Sequence, residues 1–146
     1  MPSLRHQCGL SMIEVLVAIV ILSVGLLGVA GLQAASLRAS HSAFYRAQAA
    51  QFAADMAERM RANLGQAANY ELHLGASGPA AGCTGVCAAD VLDWLTRLRT
   101  LPAGAGSIAV DTVNQTVTIV VQWDDSRAGG ASNAAYTVVT RLGNTN

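Results

Sequence analysis

From Val15 to Leu32 the chain carries no charged side chain and is mostly apolar. At a rise of ~1.5 Å per residue this stretch makes a helix roughly 27 Å long, close to the hydrocarbon thickness of a bilayer. Beyond it, residues 33–64 contain no proline and are dominated by strong helix formers, chiefly alanine, glutamine, arginine and methionine, so the helix is expected to run on. Leu37, Phe44, Phe52, Met56, Met60 and Leu64 recur at spacings compatible with one face, while Arg46, Asp55, Glu58 and Arg61 fall largely elsewhere. Asp55 and Arg59 are spaced to pair along that helix, and Gly65 is a natural stop. Such a helix, from about Ser11 to Leu64, would be roughly 80 Å long. The region from Ala67 to Ala89 is glycine-rich and irregular, and Ala89 to Leu101 reads as an amphipathic helix ending before Pro102. Ile108–Val113, Thr116–Trp123 and Ala135–Leu142 are rich in β-branched and aromatic residues and predict strands, the first two joined by a two-residue turn at Asn114-Gln115. The fold class is therefore α+β: one long N-terminal helix packed on a small three-stranded antiparallel sheet, with an additional helix.

The apolar run has one anomaly at its mouth, the carboxylate of Glu14. A charge at the edge of a membrane span is costly unless a partner neutralises it, so Glu14 is a functional candidate. The order of parts around it is also unusual. A secretory signal places its small-residue cleavage site after the apolar stretch, whereas here Gly9 precedes it, behind a polar leader carrying Arg5 and His6. Cutting after Gly9 would remove only the leader and leave the span attached, with a new amine on Leu10.

Gly9, Leu10, Ser11, Ile13, Glu14, Val15, Leu16, Val17 and Ala18 together resemble the prepilin leader of type IV pilins and type II secretion pseudopilins. The resemblance implies cleavage between Gly9 and Leu10 by a prepilin peptidase that also N-methylates Leu10, and an assembly role in which Glu14 meets the N-terminal amine of a neighbouring subunit. Leu10 departs from the phenylalanine usual in that family. The segments Ile21–Gln33 and Asp55–Asn63 look like the PilV-type minor pilins, the type IV pilus modification proteins, so the resemblance covers roughly the first 64 residues. It implies a type IV pilin-like fold with four parts: residues 1–9 a cleaved prepilin leader, 10–32 a transmembrane and assembly helix, 33–64 its amphipathic continuation and 65–146 a globular head. Gly25, Gly28 and Gly31 lie within the span, either as close-packing positions or as simple membrane-helix glycines. Many major pilins carry a helix-bending proline where this chain has Gly31.

The implied function is that of a minor pilin priming or modifying the type IV pilus in assembly, adhesion or motility. Alternatives are a minor pseudopilin of a type II secretion system and an uncleaved membrane-anchored periplasmic domain. The implied partners are other major and minor pilin subunits, the prepilin peptidase and the inner-membrane assembly platform. The implied localisation is single-pass in the inner membrane, N-terminus cytoplasmic and head periplasmic, then the fibre at the cell surface. One basic residue on each side of the span, Arg5 and Arg38, makes the charge rule itself nearly silent on orientation.

The chain has 146 residues and a formal net charge of zero, which gives no electrostatic case for nucleic acid or for an anionic membrane surface. With the leader gone, Cys83 and Cys87 are the only cysteines, and in the oxidising compartment that the resemblance implies a disulfide closing a small loop is expected. Two thiolates without further ligands make a poor zinc site, and His73 adds little, so no metal and no cofactor is expected. A redox pair would need a two-residue spacer in another context. The segment Asp124 to Gly130 lacks the spacing of a calcium or phosphate loop and reads as a surface loop for subunit contacts, with Trp123 beside it in the core. No Ser, His and Asp arrangement stands out, and His6, His41 and His73 are scattered, so no catalytic residue is assigned and an enzyme is not expected.

Overall fold

A computed structural model describes residues 11–143. Its elements in chain order are α1 (Met12–Ala62), a 3-10 turn (Leu64–Tyr70), α2 (Val86–Leu98), β1 (Ala105–Asp111), β2 (Thr116–Trp123), a second 3-10 turn (Ser126–Ala128) and β3 (Ala134–Arg141). The chain divides into two compact units, Met1–Leu37 and Arg38–Asn146. In the first, every described residue is exposed and, from Met12 onward, helical.

The second unit holds the core. The strands form one antiparallel sheet in the order β1-β2-β3, with Ile108 opposite Ile119 and Ile119 opposite Val138. In β2 the alternation is complete: Val117, Ile119, Val121 and Trp123 are buried and the residues between them are not, as expected of a strand with one covered face. Leu72 adds a single bridge to β1, with amide-to-carbonyl bonds of 2.9 Å in both directions to Ile108. From α2, the side chains of Cys87, Val91, Trp94, Leu95 and Leu98 join the same core.

The face that α1 buries differs from the one the large apolar residues suggest. Ala49, Phe52, Ala53, Met56, Ala57 and Met60 are buried, whereas Phe44 is 61% exposed and Leu37 and Leu64 are also exposed. At 100° per residue Phe44 lies on the side opposite the buried stripe, and the alanines, which the size of a side chain does not flag, carry the close contact. Polar bonds fix the packing. The Trp94 indole Nε1 donates to the Phe52 carbonyl at 2.9 Å, in the interior. Arg59 reaches from α1 to Asp90 (3.2 Å) and Asp93 (2.6 Å) on α2, and pairs with Asp55 on its own helix at 3.0 Å. Burial lowers the affinity of the Arg59 guanidinium for its proton, but the bond to Asp93 and the charge of Asp55 outweigh it and leave the pKa raised.

Several boundaries move from their predicted positions, β3 by one residue to Ala134–Arg141 and the end of α2 from Leu101 to Leu98, and three of the shifts have plain local reasons. The second helix begins at Val86 rather than Ala89, because Gly85 enters it with φ +60° and its carbonyl accepts from the Ala89 amide at 3.1 Å. The first strand begins at Ala105, through glycines that look like breakers. A Cβ on Gly106 would lie 2.4 Å from the Trp94 ring, so the glycine is what admits the tryptophan. The hairpin between β1 and β2 has a four-residue loop, not the two-residue turn expected at Asn114-Gln115, since Asp111 pairs with Thr116. The Asp111 carboxylate accepts from the amides of Val113 and Asn114, each at 2.9 Å, and Gln115 closes the loop with φ +53°.

Candidate assembly and processing segment

The first turn of α1 is set by Ser11, whose carbonyl accepts from the amides of Glu14 (3.0 Å) and Val15 (3.3 Å). Glu14 therefore sits in the first turn, where a negative charge suits the helix dipole. Among the described residues its carboxylate has no ion-pair partner. Gly9 and Leu10, the expected cleavage pair, lie outside the described residues.

Beyond Glu14 the helix is long and apolar enough to cross a membrane, with a mean hydropathy of 2.8 over its best window, none of it buried. Val15, Leu16, Ile19, Val20 and Leu22 are all exposed, an arrangement unfavourable in water and suited to lipid or to neighbouring helices. The one hydroxyl in the middle of the run, Ser23, donates back to the Ile19 carbonyl at 2.7 Å, so it leaves no unsatisfied donor there. A Cβ at Gly25, Gly28 or Gly31 would meet nothing within 4 Å, so no packing inside the described chain requires these glycines.

In the second unit, Cys83 and Cys87 form a disulfide, 1.97 Å between sulfurs, with both residues buried. The bridge joins the irregular segment to the first turn of α2. A group of three or more metal-ligating side chains does not occur among the described residues. Trp123 is buried, as expected, and Asp125 beside it is the one buried charged residue among those described, its Oδ2 accepting from the Ser42 hydroxyl at 2.6 Å. The anchoring of this loop onto α1 through Ser42 had no signal in the sequence, since an isolated serine and an aspartate 83 positions apart form no motif.

Residues 4–30 match a family model of the prokaryotic N-terminal methylation motif. Residues 31–91 match the family described as Type IV pilin Tt1218. No curated protein matches the chain, and no solved structure matches it. The chain is thus similar, over residues 4–91, to a methylation motif running into type IV pilin sequence, and its long N-terminal helix, further helix and three-stranded antiparallel sheet make an α+β arrangement consistent with a type IV pilin fold.

Proposed function

We propose that the chain is a minor pilin of the type IV pilus, made as a precursor, cut between Gly9 and Leu10 by prepilin peptidase, N-methylated on Leu10 and assembled through its N-terminal helix. The observation that carries this reading is the exposed apolar face of α1 after Glu14, preceded in sequence by Gly9. Residues 1–9 are the leader, 10–32 the membrane and assembly helix, 33–64 its continuation and 65–146 the head. The precursor spans the inner membrane once with its head in the periplasm, and the mature subunit joins the fibre through the assembly platform. The pairing of Glu14 with the amine of a neighbouring Leu10 would supply the counter-charge that its position demands.

N-terminal sequencing of the mature protein is expected to begin at methylated Leu10, and an intact Met1 would defeat the processing step. Glu14→Leu is expected to insert normally yet be lost from sheared fibres, as read by immunoblot; wild-type incorporation would remove Glu14 from assembly. Deleting the gene should alter surface pili. Unchanged pili with lost protein secretion would identify a minor pseudopilin of a type II secretion system instead, and adhesion and motility assays on the same strain assign the role of the subunit within the pilus.

A further inference from the structure

The loop after β2 is built to hold a basic turn against α1. Its centre is Asp125, whose backbone makes three bonds of 3.0 Å, donating to Ala131 and accepting from Ala128 and Gly130. Gly130 passes so close that an added Cβ would sit 2.3 Å from Asp125 Oδ2. The Ser42 hydroxyl ties that carboxylate to α1, and Gly129, at φ +89°, ends the short 3-10 turn Ser126–Ala128. Arg127 and Ala128 are thereby placed across from Arg38, His41 and Tyr45, and the five residues line a cleft of about 210 Å³.

Each polar side chain in this lining can donate a hydrogen bond, and none is a carboxylate. Arg38, His41 and Arg127 are exposed and take part in no salt bridge among the described residues. Two carboxylates lie close in sequence: Asp124 is engaged with Ser126, accepting its backbone N–H at 2.9 Å, although Arg127 also attracts it, and Asp125 is buried with its Oδ2 on the Ser42 hydroxyl. Two guanidinium groups from segments far apart in sequence suit a phosphodiester, which they can grip by paired N–H donors.

The sequence places that cleft at one depth. Arg38 is the first charged residue after Glu14, so it is the first cation to follow the apolar run. Basic side chains at that position in a spanning helix sit among lipid headgroups, and tyrosine favours the same layer. We propose that Arg38, His41, Tyr45 and Arg127 form a binding site for the phosphate of an anionic lipid headgroup, occupied while the subunit resides in the membrane. The proposal rests on α1 spanning the bilayer. It does not depend on which fibre or secretion system the subunit serves.

The test uses the full chain in nanodiscs containing equal phosphatidylglycerol and phosphatidylcholine, followed by native mass spectrometry of the lipids retained on release. Wild type should retain phosphatidylglycerol preferentially. Arg38→Gln or Arg127→Gln should each cut that preference roughly fivefold, while Arg46→Gln, exposed on the same helix but outside the cleft, should leave it intact. An unchanged preference in the Arg38→Gln/Arg127→Gln double variant, or an equal loss in Arg46→Gln, would overturn the site. Inorganic phosphate added to the detergent-held protein should not bind measurably at millimolar concentration. Tight binding there would mark a soluble-anion site and overturn the lipid assignment. A chain that does not enter nanodiscs at all would overturn the membrane-spanning reading along with the proposal.

Discussion

Gly106 faces Trp94 with no room for a side chain, and its replacement tests how rigid the core is. A Cβ there meets the indole at 2.4 Å and Leu98 Cδ1 at 2.7 Å, both on side chains that are themselves buried. Gly106→Val is expected to destabilise the second unit by about 1–3 kcal/mol through overpacking, seen as a lower thermal midpoint in detergent. Asp111 is a different kind of single-residue device. The N–H groups of Asn114, then of Val113, hold its carboxyl below the ordinary value of 3.8, and Ser126 does the same for Asp124. A folded pKa depressed in this way stabilises fully above the unfolded value and is lost as pH falls through the folded one. Stability should therefore decline on acidification below about pH 3.8, and Asp111→Ala should flatten that decline in thermal melts taken from about pH 5 to about pH 2. If its slope matches wild type, the Asp111 turn carries no pH-linked stability.

Among the elements, β2 was legible almost residue for residue, because its alternation and its β-branched content point the same way. The face of α1 was not. The eye is drawn to Phe44 and Leu37, yet the buried stripe is half alanine, and a small residue signals contact only when its partner is known. For the same reason the start of β1 was hidden, since Gly104 and Gly106 read as breakers until the Leu98 carbonyl is seen against the first and the ring of Trp94 against the second. At α2 the disulfide closes a very short loop, so the chain-entropy gain is modest. Replacing Cys83 and Cys87 by serine should cost about 2 kcal/mol and loosen the first turn of the helix, giving faster amide exchange from Val86 to Ala89. Unchanged exchange there would show that Gly85 alone defines the helix start.

At the scale of the whole molecule, the candidate assembly segment stands out in the sequence because it rests on order and charge alone: a glycine, then a carboxylate, then an uninterrupted apolar run. The cleft on α1 was unreadable because it depends on the loop between β2 and β3 meeting the helix at Ser42, 83 residues before Asp125 in the chain. Binding the second unit together is a polar network centred on Arg59, in which Tyr70 donates to Asp90 at 2.7 Å and burial leads the upward shift of its phenol. Arg59→Met should destabilise this unit by about 2 kcal/mol, leaving Asp90 and Asp93 without their shared cation. A double-mutant cycle with Asp93→Asn would measure the coupling, and additive effects would mean that the two residues act independently.

The buried stripe of α1 holds one more consequence. Ala49 with Phe52, Ala53 with Met56 and Ala57 with Met60 repeat the same small-and-large pair every four residues. Displaced by four residues, about 6 Å along its axis, the helix would keep alanine on alanine at the inner positions but carry Tyr45 and Gln48, or Arg61 and Leu64, into the ends of the stripe. Packing therefore distinguishes the two alignments at the ends of the stripe and only weakly along its middle. The side-chain bonds add to this, since Arg59 on Asp90 and Asp93 and Ser42 on Asp125 are lost in the shift, whereas Trp94 donates to a backbone carbonyl that any turn of the helix offers. The middle of the stripe is thus forgiving, and the alignment of α1 in the second unit is set at its ends and by Ser42 and Arg59.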